Sequence, residues 1–147
     1  LHRAGFASRS KSMSRDDDLK LKDMYITASG RCAPPKNKPT AEELNNCQPF
    51  LEREIELLEP KVIVCLGRVA FERILRIHSE PKAGKKFGHG ATFQLEAGPW
   101  LVCSYHPSQQ NTSTRKLTVE MFDAMWAQVR ELVENEKWNQ VKVEKDA

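Results

Sequence analysis

The residues best suited to chemistry stand together in Tyr105-His-Pro-Ser-Gln-Gln-Asn-Thr112. The imidazole of His106 can hold or release a proton near neutral pH. After it, Ser108, Gln109, Gln110, Asn111 and Thr112 offer many hydrogen-bonding groups and no charge. Such a run suits contact with phosphates and base edges better than burial in a core. A lone histidine is more often a plain surface residue, and the neighbourhood is what turns His106 toward a nucleic-acid contact. Cys32 and Cys47 are the candidate metal ligands, one in the proline-braced loop Arg31-Cys-Ala-Pro-Pro35 and the other beside Pro49. Two thiolates do not close a site that needs about four ligands. Residue types alone therefore leave two free thiols slightly ahead of a metal centre. Asn37, just beyond the paired prolines, reads as a turn residue.

The pattern around these groups sets the strands and helices that carry them. The apolar run 100–105 predicts a strand, and Pro107, with no amide donor and a fixed φ, ends it. His106 is thus delivered to a strand's carboxyl end, where open α/β sheets bind ligands. Lys61-Val-Ile-Val-Cys-Leu-Gly67 is unbroken apolar sequence, as in a parallel strand covered on both faces. A helix comes next, from about Arg68 to Ile77. Thr40-Ala-Glu-Glu43 is a capping box opening a helix, with Leu44, Cys47, Leu51, Ile55 and Leu58 at helical spacing on its buried face. Pro49 is expected to break or kink that helix and so turn Cys47 toward Cys32. Cys65 and Cys103 fall inside the two apolar strands and read as small hydrophobes.

Elsewhere, residues 1–22 predict a short helical remnant and then an exposed polar loop, with no core pattern. Met24 to Thr27 is a strand candidate. Residues 81–90 read as a basic, glycine-containing loop and Ala91 to Leu95 as an edge hairpin strand. A last helix begins near Leu117, with Met121, Phe122, Met125, Val129, Leu132 and Val133 on one face. The alternation of strands and helices predicts one α/β domain over residues 1–147, a three-layer α/β/α arrangement around a central parallel sheet.

Composition narrows the classes. At 147 residues and 39% hydrophobic, the chain is one domain's worth. Its net charge of +3 says little by itself. Between Pro81 and Lys116, however, Lys82, Lys85, Lys86, Arg115 and Lys116 face one acid, Glu96, a distribution that suits a phosphate backbone. No apolar run approaches the ~20 residues of a membrane span, and no signal-peptide pattern opens the chain. Four cysteines in that setting favour a reducing compartment, hence metal binding over disulfides. A reducing compartment fits a cytoplasmic protein. The chain opens with Leu1, in what reads as the middle of a helix, which implies a fragment or processed piece lacking its N-terminal part.

The Tyr105–Thr112 segment resembles the His-Pro-Ser motif of the uracil-DNA glycosylase superfamily, and in this form is most similar to family 5, the type B enzymes with an iron–sulfur cluster. The likeness extends to Leu1-His-Arg-Ala-Gly-Phe-Ala7, Tyr25-Ile-Thr27, Arg31-Cys-Ala-Pro-Pro35, Asn37-Lys-Pro-Thr40, Cys47, Pro60-Lys-Val-Ile-Val64, Phe87-Gly-His-Gly90 and Met121-Phe122. The resemblance implies a monofunctional DNA glycosylase that hydrolyses the N-glycosidic bond of uracil, and of other deaminated bases, in base-excision repair. It implies His106 as the group that stabilises the departing base, Asn37 near the active site, and residues 108–112 against DNA. Nucleoid association and a monomeric state are likewise what the resemblance implies. It implies a structural 4Fe–4S cluster held by Cys32, Cys47 and two further cysteines upstream of residue 1, with the water-activating carboxylate upstream as well. Ala28 stands where family 4 carries an Asn that reads uracil's edge, and its absence fits a broader choice of base. Two departures are visible: Ser29-Gly30 replaces the usual Ala-Val, and Arg115 replaces a Gly in the loop exit. His89 reads as structural, and His2 and His78 carry no signal. A second class remains open, a non-catalytic nucleic-acid-binding module stabilised by a metal. A small α/β hydrolase lacks its Gly-x-Ser-x-Gly elbow.

Overall fold

A computed structural model describes residues 1–31, 38–96 and 98–134. The order of elements is α1 (Ala41–Leu58), β1 (Val62–Leu66), α2 (Arg68–Ile77), β2 (Thr92–Gln94), β3 (Trp100–Ser104), α3 (Gln109–Ser113) and α4 (Val119–Glu134). The sheet is small and mixed, in the order β1-β3-β2. β1 and β3 run parallel from Val62 opposite Trp100 to Leu66 opposite Ser104, and β2 pairs antiparallel with β3.

β3 is the middle strand, and Leu101, Val102, Cys103 and Ser104 are all buried. Side chains alternate across a sheet, so its two faces feed two cores. On one face Leu101, Cys103 and Cys65 pack with Leu51 of α1 and with Phe71, Ile74 and Leu75 of α2. On the other, Val102 packs with Met125, Trp126 and Val129 of α4 and with Phe6. Each large side chain buried this way contributes about 1.5–3 kcal/mol.

The start of the chain departs from expectation. Residues 1–6 form a tight turn closed on the Leu1 carbonyl, not a helix. Phe6, which no pattern marked as core, is buried against Trp126 at 5.5 Å, with the Arg130 guanidinium 3.9 Å from its ring centre. A single aromatic can anchor a segment without leaving any periodic signature. Met24 to Thr27 is not a strand, and Tyr25 and Ile26 are exposed. Among the described residues the segment pairs with neither edge of the sheet. Instead the hydroxyls of Tyr25 and Thr27 donate to the Glu54 carboxylate of α1. The polar stretch after Ser8 is an exposed loop, as expected, with Asp17 accepting the amides of Met13 and Leu19.

α1 also differs in one respect. Its capping box forms, with Thr40 Oγ1 accepting from Glu43 N and Glu43 Oε2 accepting from Thr40 N, but the helix runs unbroken through Pro49. Proline there removes one amide donor. The cap at one end and Leu51 packed into the core beyond it hold both sides of that gap. Leu58, expected on the buried face, is exposed.

Candidate active-site cleft

The carboxyl ends of β1 and β3 lie side by side, and the segments leaving the two strands build a cleft. After β1, Gly67 turns the chain at φ 102°, a conformation that L side chains rarely adopt. Its amide donates to the Ser104 carbonyl at 2.8 Å. A Cβ on Gly67 would sit 3.5 Å from His106 Cβ, in ordinary contact, so backbone shape, not crowding, calls for glycine. After β3, Tyr105 leads into His106. The imidazole is exposed and among the described residues has no hydrogen-bond partner.

What is fixed is the backbone of His106. Its carbonyl accepts both the Ser108 amide and Asn111 Nδ2, each at 2.8 Å. The loop is therefore not irregular, as a polar run suggested, but contains the helical turn α3. Ser108 caps that turn, its hydroxyl accepting from the Asn111 amide at 3.3 Å. Thr112 folds its hydroxyl onto the Ser108 and Gln109 carbonyls. Of the five polar residues read as DNA contacts, Ser108, Asn111 and Thr112 thus spend hydrogen bonds on the loop itself. Gln109 and Gln110 are exposed, with side chains free of partners among the described residues. The loop leaves through Arg115 at φ 55°, at the position where the resemblance has glycine.

The cleft, of about 400 Å³, is lined by Gly67, Arg68, Phe87, Tyr105, His106, Asn111 and Lys116. Phe87 and Tyr105 lie with ring centroids 6.3 Å apart. Arg68 sits over Phe87 at 5.4 Å and Lys116 over Tyr105 at 5.1 Å. No carboxylate is among its described lining residues, so the cleft is electropositive. Behind it, His89 stacks on Tyr105 at 5.5 Å. Its Nε2 donates to the Met121 carbonyl at 3.0 Å, and its Nδ1 meets Ser104 Oγ at 3.3 Å. His89 therefore ties β3 to α4. A second groove, of about 390 Å³, lies beyond Pro107 between Arg115 and Phe122, with no imidazole in it.

Sequence reasoning missed Arg68, Gly67 and the aromatic floor. The signal was present: a glycine closing a buried parallel strand marks a strand end, and adjacent parallel strands share one ligand-binding edge.

Cys32 and Asn37 lie outside the described residues. Cys47 is half-buried on α1, and the Arg31 amide donates to its sulfur at 3.4 Å. Two turns along the helix, Glu54 receives Tyr25, Thr27 and the Arg31 guanidinium. The Thr27 hydroxyl first, then Arg31 and Tyr25, hold its carboxyl below the usual carboxylate range. Glu54 thus straps the segment that leads into Cys32 against the helix that carries Cys47. An amide pointed at sulfur and a half-buried setting fit a thiolate ligand. Among the described residues, no three His, Cys, Asp or Glu side chains gather closely enough to hold a metal. Cys65 and Cys103 face each other in the β1–β3 register. Burial pushes the Cys103 thiol up to about 12 and that of Cys65 higher still, with Cys103 adding to the latter. They are thiols at neutral pH and therefore poor ligands.

A family model described as the uracil DNA glycosylase superfamily matches residues 1–130. The chain is 50% identical over 123 residues to a type-5 uracil-DNA glycosylase of Thermus thermophilus, covering 83% of this chain and 56% of that protein. It is 42% identical over 116 residues to a type-5 uracil-DNA glycosylase of Pyrobaculum aerophilum, covering 79% and 50%. A type-4 uracil-DNA glycosylase of Archaeoglobus fulgidus is 34% identical over 96 residues, covering 61% and 47%. The chain spans about half the length of the curated relatives it matches.

Proposed function

The chain belongs to the uracil DNA glycosylase superfamily, and on that premise we propose that the whole protein is a monofunctional DNA glycosylase of the type-5 kind. It hydrolyses the N-glycosidic bond of uracil, and of other deaminated bases, to leave an abasic site. The observation that carries this reading is the cleft at the paired ends of β1 and β3, where among the described residues no carboxylate lines it and the imidazole has no partner.

Breaking a base–sugar bond leaves negative charge on the departing base. His106 donates to that base's carbonyl oxygen as charge develops, and a donor fixed in advance is worth about 10²–10³ in rate. The fixing is local: Asn111 Nδ2 and the Ser108 amide hold the His106 carbonyl, so the ring starts from a set backbone. The target nucleotide must leave the duplex, at a cost of a few kcal/mol. Phe87 and Tyr105 give the extruded base an apolar floor to lie on. Gln109 and Gln110 reach into the gap it leaves and hydrogen-bond the orphaned partner base. Ser108, Asn111 and Thr112 support that contact from within the loop. Asn37 positions water or the base.

Cys47 and Cys32 hold a 4Fe–4S cluster together with two cysteines from the rest of the protein, and the cluster serves structure, not redox turnover. The Arg31 amide on the Cys47 sulfur supports that assignment. The remaining part of the whole protein also supplies the water-activating carboxylate and completes a three-layer domain, for which the separate cores on the two sheet faces are the support. The test is single-turnover release of uracil from a duplex by the whole protein and by His106→Ala. The proposal expects loss of release with DNA binding retained. Equal rates would remove His106 from the chemistry, and a parent that binds DNA without releasing any base would be a binding module.

A further inference from the structure

Resting on the glycosylase reading, we propose that Arg68 and Lys116 are the phosphate-gripping side chains of the cleft, each held in readiness by the aromatic ring beneath it. They are the two cations that line the cleft, at 5.4 Å over Phe87 and 5.1 Å over Tyr105. Both are exposed. Neither has an acidic partner among the described residues, as Lys82 has in Glu72, Lys85 in Glu80 and Arg3 in Asp123; Arg115 and Lys86 are unpaired there too, but do not line the cleft. Their charge is therefore uncommitted and aimed at an anion from outside.

Their places in the chain make the arrangement two-sided. Arg68 opens α2 directly after Gly67, at the end of β1. Lys116 closes the loop that begins at His106, at the end of β3. A backbone gripped by both is registered against the two strand ends at once, and His106 lies with them on the same cleft. Long basic side chains normally lose much rotamer freedom when they bind. A ring beneath each cation holds it weakly near its working position, so less freedom is lost on DNA binding, and the hold exchanges readily for a phosphate. Gln109 and Gln110 have hydrogen-bonding groups but no charge, so they read the gap while Arg68 and Lys116 set the register.

The test is equilibrium binding of the whole protein to a duplex carrying an uncleavable uracil analogue, measured across salt concentrations. Each neutralised phosphate contributes about 0.9 to the slope of log affinity against log salt. Arg68→Gln and Lys116→Gln should each flatten the slope by about that amount, and the double variant by roughly twice as much. Tyr105→Leu keeps both charges and, measured on an undamaged duplex so that the floor for an extruded base does not enter, should leave the slope unchanged while weakening binding several-fold, because Lys116 loses its rest. Melting temperatures of all variants check that they fold. Unchanged slopes in Arg68→Gln and Lys116→Gln would overturn the grip, and unchanged affinity in Tyr105→Leu would overturn the part played by the ring. If the parent binds and excises while the slopes stay fixed, the grip alone fails. If the parent does neither, it is the glycosylase reading that fails.

Discussion

His89 and His106 flank the same strand and are held in opposite ways. His89 is half-buried and held by its ring, with Nε2 on the Met121 carbonyl, Nδ1 at Ser104 Oγ and Tyr105 stacked alongside. His106 is held by its backbone, through Ser108 and Asn111, and its ring faces the cleft without a partner among the described residues. An imidazole whose nitrogens are committed stabilises the fold and has little left to give a substrate. One whose backbone is fixed and whose ring is uncommitted costs little stability and stays available. On the proposed reading, the same side chain serves structure or chemistry according to which of its parts the protein has already bonded.

The widest separation between the two should come from paired substitutions. His106→Ala is expected to slow single-turnover uracil release by about 10²-fold or more with the melting temperature nearly unchanged. His89→Ala should cost about 0.5–1.5 kcal/mol of stability, from the lost hydrogen bond to the Met121 carbonyl, while release per folded molecule stays within a few-fold. Urea unfolding and single-turnover assays on both variants would collapse the distinction if each lost the same property. Asn111→Ala refines it, since the change leaves the His106 ring intact and removes one of the two groups that anchor its backbone. Release should drop roughly tenfold through misplacement of the ring, and a rate equal to the parent's would show that the anchor is dispensable.

Arg115→Gly probes the exit of the same loop. At φ 55° arginine occupies a conformation that costs about 1 kcal/mol more than it would for glycine, so thermal unfolding should shift upward by a few degrees. A lower melting temperature would mean that the Arg115 side chain holds the loop. His78 extends the contrast to a third imidazole, with a buried Nε2 that has no partner among the described residues. Burial lowers its pKa, and Glu80 only partly opposes that. A neutral ring is therefore favoured in the folded state. Its contribution is complete above the unfolded value near 6.5 and is lost as pH falls from there toward the lower folded value. His78→Phe should flatten the decline of stability between neutral pH and about pH 5, the smallest effect of the set. An unaltered pH profile would assign that decline to other groups.

Much of this was legible before any coordinates. β1, α2, the edge strand β2, β3 and α4 are marked by apolar periods and by Pro107, and the α1 cap by Thr40 and Glu43. Local chemistry dictates these features, so a short window contains the information. The likeness to the glycosylase family was legible for a different reason, since several motifs occur in one order along the chain. Pro49 and Met24–Thr27 misled because propensity is a weak prior that packing and available partners override. A helix supported on both sides tolerates one missing donor, and a β-forming segment whose hydroxyls are taken by a helix carboxylate stays out of the sheet. Phe6 gave no warning because it is a single residue packed against a helix more than a hundred positions away.

Residue order was thus enough for most of the elements, for the strand end that carries His106, and for the family. Folding in three dimensions was needed to make Gly67 and Arg68 share that edge, to floor it with Phe87 and Tyr105, and to commit most of the polar loop to its own turn. The physical reason is that the register of β1 against β3 brings together residues nearly forty positions apart. Which hydrogen-bonding groups stay free depends on what the others have already found.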